Sequence, residues 1–475
     1  YLSADFHHHA TSQLMAEMLE LHDRQRFKVY GVSFGPDRAS ELTHRVRNAF
    51  ESFVDVRQWS DEQVARWMLQ EQIDIAIDLK GFTADSRFGI FLYKGAPIQV
   101  NYLGYPGSLG HPCIDYIIGD RWVTPFDQQS NFSERIVQMP HSYQVNDRKR
   151  SIAQTPTRKE LGLPENAFVF CSFNNNYKIT PYVYDVWMRL LQAIPNSVLW
   201  LLSDNQDAEQ NLKSEAQKRG VLSDRIVFAP RAYLPNHLAR HRCADLFLDT
   251  WPCNAHTTCS DALWTGLPVL TCTGETFASR VAASLLDAVG LTELITDNPL
   301  DYEQKALALA KNPQLLNQIK DQLQQGLLRQ DLPLFDTPRF VKGVEAAYEQ
   351  MWDRYQAGLK PQEFAVVENE SNVGGLQRDA LPAPQVSNSE AEFQKSYQTA
   401  TQHFYQGQFE DVLSSALDMQ KLAPDNSLGF LCAGIACIHL ARYGEAKQNY
   451  QTLYDRGVRD VTILDGLAHA CFELG

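Results

Sequence analysis

The sequence predicts two doubly wound, Rossmann-like α/β domains followed by an all-α repeat unit. Three observations carry that prediction. Short β-rich apolar runs alternate with amphipathic stretches in two successive sets, the strand runs cease near residue 300, and the last part of the chain repeats at an interval of 34 residues.

The first set defines a domain over residues 1–150. FKVYGVSF (27–34), IDIAIDLKG (73–81), PIQVNYLG (97–104) and DYIIGD (115–120) each end in Gly, Pro or polar turn residues, the pattern of parallel strands joined by crossover helices. The opening YLSADF is also strand-like and lacks an initiator Met, so a longer N-terminal part is expected.

A second domain is expected over 151–357. Its strand runs are FVFCSFNN (168–175), SVLWLLSD (197–204), RIVFAP (225–230), LFLDT (246–250) and PVLTCTG (268–274), separated by helices at 181–194, 206–219 and 234–243. Residues 300–357 read as its closing helices. Residues 358–389, rich in Pro, Asn, Ser and acids, read as a linker. From 390 to 475, Gly407-Gln408-Phe409 recurs as Ala441-Arg442-Tyr443, and Ala400 as Gly434 and Ala468. Small residues at those places let paired helices approach closely, and the pattern resembles the tetratricopeptide repeat. The sequence stops at the turn of a third copy, so a longer array is expected.

Of the 475 residues 44% are hydrophobic and 21% charged, and the net charge is −14. No run of Lys and Arg could track a phosphate backbone, which argues against a nucleic-acid partner. Nine cysteines without a CxxC pair fit free thiols in a reducing compartment. No apolar run reaches the ~18–20 residues of a membrane span, and no signal-peptide pattern opens the chain. A cytoplasmic location is expected.

Doubly wound sheets bind ligands beyond the carboxyl ends of their strands. After LFLDT comes WPCNAHTTCSDALWTGLP (251–268), a polar loop running into a helix from about Thr257. Unpaired N–H groups there, with the hydroxyls of Thr257 and Thr258 beside them, suit a phosphate. His256 could donate to the same oxygen, and Asp261, one turn on, suits sugar hydroxyls. An ordinary capped helix is the competing reading. A second hydroxyl-rich turn, Gly274 to Arg280, suggests a diphosphate. In FCSFNNNYKITP (170–181), Lys178 could reach a phosphate or leaving group, against the reading of a solvated lysine. His237 could stack on a nucleobase. Neither GxxxxGK[ST] nor GxGxxG is present, nor a DxD carboxylate pair in this region. LGYPGSLGHPCIDY (103–116) is a Gly/Pro-rich loop after a strand. SADFHHHATS sits where a strand gives way to a helix, with Asp5 and His9 four residues apart.

SADFHHHATS, APIQVNYLG, LGYPG, FNNNYKI and HTTCSDALWTGLPVLTCTGETFASRVAAS, in this order over roughly residues 1–357, resemble the catalytic region of the O-GlcNAc transferase family, its bacterial Spindly-type members included. The resemblance implies a GT-B fold and an inverting, metal-independent glycosyltransferase without a cofactor. It would move N-acetylglucosamine from UDP-GlcNAc to Ser/Thr hydroxyls of proteins. It further implies that His256, Thr257 and Thr258 bind the diphosphate, Asp261 the ribose, His237 the uracil and Lys178 the leaving phosphate. Asn175 stands where vertebrate members have Gln. His9 and Asp5 match the acceptor-side His and Asp, and Gly104 with Pro106 a loop lining the sugar. Protein or peptide acceptors, held by the repeats, are the implied partners. Ala84 replaces a Lys of the vertebrate pattern, His8 an Asn, and the repeats follow the catalytic region instead of preceding it.

The triplet His7-His8-His9 is no tag remnant, since it is embedded between strand-like and helix-like sequence, and adjacent imidazoles diverge too much to share a metal without further ligands. His9 is the one to pair with Asp5. Competing functions are transfer from another nucleotide sugar such as GDP-fucose, a non-catalytic repeat scaffold, and a nucleotide-sugar epimerase, which has no use for a repeat array.

Overall fold

Although only two residues long, β1 (Leu2–Ser3) lies inside the first sheet of the computed structural model, which describes residues 1–36, 38, 40–368, 388–424, 426–456 and 461–474. It is followed by β2 (Tyr30–Ser33), β3 (Ser52–Asp55), β4 (Ile75–Asp78), β5 (Ile98–Tyr102), β6 (Tyr116–Asp120) and β7 (Arg135–Met139). The second set is β8 (Phe168–Ser172), β9 (Ser197–Leu202), β10 (Ile226–Ala229), β11 (Leu246–Leu248), β12 (Val269–Cys272) and β13 (Ile295–Thr296), after which β14 (Phe364–Ala365) returns to the first sheet.

Every pairing is parallel. Parallel sheets are covered on both faces, so their inner strands carry apolar residues continuously instead of alternating. β5, β6 and all but the last residue of β9 are accordingly buried along their length.

The strand orders are β14-β7-β6-β5-β4-β1-β2-β3 and β10-β9-β8-β11-β12-β13. The direction of winding reverses between β1 and β4 in one sheet and between β8 and β11 in the other. At such a reversal the outgoing loops diverge to opposite faces and open a crevice at the strand ends. Both crevices receive the residues singled out from the sequence.

Local signals set the helices between the strands. Ser60 and Gln63 form a reciprocal capping box before Asp61–Gln70, and Asn205 and Asn298 cap Gln206–Lys218 and Pro299–Lys311. One hydrophobic core then runs through both sheets, with Trp187 and Trp200 fully buried, and a second, smaller one, including Leu2, Val32, Val64, Met68 and Phe91, belongs to the first sheet and its helices.

Two boundaries differ from the sequence reading. Helix Thr337–Gln356 falls, by sequence, among the closing helices of the second domain, yet it packs on helix Ala10–Leu21 and on β5 and β7 of the first sheet. Tyr348 meets the Tyr1 hydroxyl at 3.1 Å and Glu345 meets His22 Nδ1 at 2.9 Å. An amphipathic pattern says that a helix is covered, not which sheet covers it. The stretch expected as linker from 358 begins with β14, which extends the first sheet beside β7; its residues 369–387 lie outside the described ones.

The chain divides into two units, Tyr1–Glu370 and Ser371–Gly475. In the second, helices Asn388–Tyr405, Phe409–Leu422, Ser427–His439, Tyr443–Asp455 and Val461–Glu473 pack each against the next. Gly434 and Gly466 face the Tyr450 ring so closely that an added Cβ would lie within 2.9 and 2.4 Å of it, so both need to be glycine there; Ala468, the residue 34 positions after Gly434, is exposed instead. The turns at Gly407 and Ala441, 34 residues apart, are both left-handed, with φ of +71° and +55°. This is the tetratricopeptide-like segment. No helix among the described residues is long and apolar enough to cross a membrane.

Candidate active site

In the first sheet the crevice lies between β1 and β4. The chain leaving β1 is anchored at Asp5, whose N–H donates to Ser3 Oγ at 2.9 Å and whose carbonyl accepts from Ser12 Oγ at 2.6 Å. His9 caps helix Ala10–Leu21, its Nδ1 accepting the Thr11 N–H at 3.2 Å. That nitrogen stands 3.5 Å from Asp5 Oδ2. Lys80, two residues past β4, donates to the same oxygen at 2.8 Å. Asp5 and Lys80 are buried, whereas the His9 side chain is 42% exposed. Burial lowers the His9 pKa; Asp5 opposes this, while Lys80, His7 and His8 add to it.

The loop after β5 closes on this crevice. A Cβ on Gly104 would lie 1.9 Å from the Leu79 carbonyl oxygen, so only glycine permits the approach. Pro106 follows, half-buried. The histidine triplet does diverge: His7 is buried with Nδ1 unpartnered, and exposed His8 meets Gln13 at 3.4 Å.

In the second sheet the crevice lies between β8 and β11. Asp249, just past β11, is buried and organises the loop ahead. It accepts the N–H groups of Thr250 at 2.7 Å and Ala255 at 2.6 Å, and the Thr271 hydroxyl at 2.7 Å. Burial pushes its carboxyl up to about 6 against those bonds. Asn174, past β8, donates to Thr250 Oγ1 at 2.9 Å and accepts the Thr258 hydroxyl at 2.6 Å. Lys178 donates to the Asn254 carbonyl at 2.6 Å. The loop is thereby delivered to the start of helix Thr257–Trp264 with a lysine beside it.

His256 caps that helix without a side-chain cap bond. The N–H groups of Cys259 and Ser260 bond the His256 carbonyl, which leaves those of Thr257 and Thr258 for a ligand. With Lys178 adjacent, the arrangement is a cradle for an anion. His256 itself does not donate into it in this geometry. Its Nε2 meets the Ala278 carbonyl at 3.3 Å, and a carbonyl only accepts, so a neutral ring carries its proton there and offers Nδ1 as an acceptor. Burial, then Lys178, push its pKa down to about 3. The second hydroxyl-rich turn is likewise self-contained: Thr276 and Ser279 bond one another in a capping box.

One turn into the helix, Asp261 pairs with Arg150 at 2.6 Å, both buried. Burial raises the Asp261 carboxyl to about 6, with Arg150 pulling it down. His237 lies on helix Leu234–His241 after β10, its ring 5.5 Å from Phe173 and 4.7 Å from His241. Arg240 stacks on Phe173 at 4.5 Å and donates to His237 Nδ1. Burial first, then His241 and Arg240, push His237 down to about 2, so its ring is a neutral, flat platform. Asn175 is half-buried and donates to the Tyr177 hydroxyl at 3.3 Å.

The structure thus joins Asp5 and His9 in one cluster and Lys178, His256, Thr257, Thr258 and Asp261 around one helix start, with His237 linked through Phe173 next to Asn174. Lys80, Asn174, Asp249, Arg150 and Arg240 were missed. Signals existed for some of them: DLKG, FNNN and LFLDT each put a polar side chain just beyond an apolar strand run.

Residues 1–158 and 148–344 match the profile of glycosyl transferase family 41. The chain is 38% identical over 377 residues to the probable UDP-N-acetylglucosamine–peptide N-acetylglucosaminyltransferase SEC of Arabidopsis thaliana, covering 78% of this chain and 38% of that protein. It is 28% identical over 472 residues to the UDP-N-acetylglucosamine–peptide N-acetylglucosaminyltransferase of Caenorhabditis elegans, covering 76% and 41%. The chain therefore spans about two fifths of the length of these relatives. Among solved structures, a mutant of the Thermobaculum terrenum O-GlcNAc transferase superposes with a TM-score of 0.69 at 29% identity, over 75% of this chain and 68% of that one. The two parallel sheets have the GT-B arrangement. A profile match across most of the two-sheet unit, with crevices at both points where the winding reverses, makes the chain a member of glycosyl transferase family 41.

Proposed function

We propose that this chain carries an inverting, metal-independent transferase that moves N-acetylglucosamine from UDP-GlcNAc to Ser/Thr hydroxyls of proteins. The observation that carries the reading is the anion cradle between β8 and β11, where the open N-terminus of helix Thr257–Trp264 meets Lys178. A departing nucleoside diphosphate needs its developing charge neutralised, and fixed donors do this best because they need not reorganise. Lys178 and the helix N–H groups supply that charge from the protein's own residues. Asp261 takes the ribose, the His237 ring stacks on the uracil, and Asn175 reaches the donor. Asp5 and His9, with the Gly104–Pro106 loop, form the acceptor side on the opposite sheet. The names of the relatives support the donor and the peptide acceptor. In this reading the helical repeats hold acceptor proteins, and no cofactor takes part.

The test is a donor panel of UDP- and GDP-sugars with intact-mass readout on lysate proteins. The reading expects a mass increase of one N-acetylhexosamine with UDP-GlcNAc alone. Transfer from a GDP-sugar instead, or none from any donor, contradicts it.

A further inference from the structure

Lys80 is 4% exposed, and its ammonium takes Asp5 Oδ2 at 2.8 Å. Its own N–H donates to Asp78 Oδ1 at 2.9 Å, which fixes the strand end that carries it. His9 Nδ1 is farther from that Asp5 oxygen, at 3.5 Å, and already accepts the Thr11 N–H at 3.2 Å. A ring nitrogen that accepts carries no proton in a neutral imidazole, so the proton sits on Nε2. A His that works as a base needs the reverse tautomer, with a carboxylate accepting from Nδ1–H and a lone pair on Nε2. Here Lys80 already takes that Asp5 oxygen at the shorter distance, 2.8 Å against 3.5 Å for His9 Nδ1.

We infer that Lys80 is a positioning residue of this site, which holds Asp5 as a buried ion pair away from His9 Nδ1 and leaves His9 as a neutral Nε2–H donor instead of a proton acceptor. This rests on the reading of Asp5 and His9 as the acceptor side. The charged and titratable groups that face His9 are Asp5, Lys80, His7 and His8; burial, with Lys80, His7 and His8, lowers the His9 pKa against Asp5 and favours the neutral ring. A neutral N–H donor suits an uncharged oxygen of a sugar or of an acceptor hydroxyl.

The inference is tested on the full chain by comparing His9→Gln with His9→Ala, with UDP affinity measured beside turnover. Glutamine places an amide N–H near the Nε2 position but has no basic lone pair. Loss of a general base costs about 10²–10⁴-fold, so a base predicts equal, severe losses in both variants. The inference predicts that His9→Gln keeps turnover within about tenfold of wild type while His9→Ala falls about a hundredfold or more, the cost of losing a positioned transition-state hydrogen-bond donor, both with unchanged UDP affinity. Equal loss overturns it; no loss in either variant overturns the acceptor-side reading beneath it. Lys80→Met supplies a second readout. Removing the cation leaves Asp5 facing His9 alone, so the acid limb of the turnover profile moves to higher pH. A profile of unchanged shape, merely scaled down, would make Lys80 structural only. If that variant does not fold, ¹⁵N-histidine NMR of the wild type decides: His9 protonated on Nε2 supports the inference, and on Nδ1 contradicts it.

Discussion

Asp261 sits at the balance point between two opposing influences. Burial lifts its carboxyl to about 6 and Arg150 resists, so it is ionised at neutral pH and takes a proton on mild acidification. A carboxylate is acceptor-only and suits ribose hydroxyls, while protonation removes part of that capacity. Affinity should therefore fall as pH drops from 7 to 5. Uridine is the ligand to use, since UDP carries its own titrating phosphate. Saturation-transfer NMR should show uridine binding weaken across that window in the wild type and become flat in Asp261→Asn; a flat wild-type profile would detach Asp261 from the ribose. At this scale Asp5 and Asn175 were legible because each is polar and stands two or three residues beyond a strand. Their partners were not. That Asp261 meets Arg150, or Thr258 meets Asn174 84 residues away, depends on which strands become neighbours, which spacing along the chain does not encode.

Strands with continuous apolar runs were legible as elements, and the helices at 181–193 and 206–218 fall within a residue of their sequence limits. β3, β7, β13 and β14 escaped: β3, β13 and β14 are edge strands, which need little apolar content, with β3 half-exposed and β13 and β14 two residues long, while β7 has only Ile136-Val137 as a continuous apolar run between Arg135 and Gln138. In the repeats the sequence equated Gly407 with Ala441, and both turns are left-handed. A non-glycine residue there is strained by roughly 1–2 kcal/mol, partly offset by the greater freedom of glycine in the unfolded chain. Ala441→Gly is expected to stabilise the repeat unit by about 0.5–1 kcal/mol. Gly407→Ala, where no neighbouring atom lies within 4 Å of the added Cβ, should destabilise it through backbone strain alone. Hydrogen exchange of helices Ser427–His439 and Tyr443–Asp455 reads the first, and slower exchange is the expected sign.

For the whole two-sheet unit, the sequence called for two doubly wound sheets but could not say how they meet. They meet through the strand ends. Asp120, the last residue of β6, accepts the Ser284 hydroxyl at 2.6 Å and the Tyr143 N–H at 2.8 Å, and Tyr143 packs edge-on against Phe277 at 5.0 Å. Asp120 is buried, and burial raises its carboxyl against these donors. Ser284→Ala removes a donor from a buried carboxylate and should cost about 1–3 kcal/mol in urea unfolding, with little effect on nucleotide contacts. A loss within error would mean that water replaces the hydroxyl and that this contact does not hold the sheets together.

The central claim is that the crevice between β8 and β11 binds a nucleoside diphosphate through Lys178 and the start of helix Thr257–Trp264. Calorimetric titration of UDP into wild type and Lys178→Ala tests it most directly. Hydrogen bonds to charged groups contribute roughly 1.5–3 kcal/mol, so the account predicts saturable binding by the wild type and a roughly ten- to hundredfold weaker Kd in the variant. No binding of UDP, or equal binding by both proteins, would contradict it.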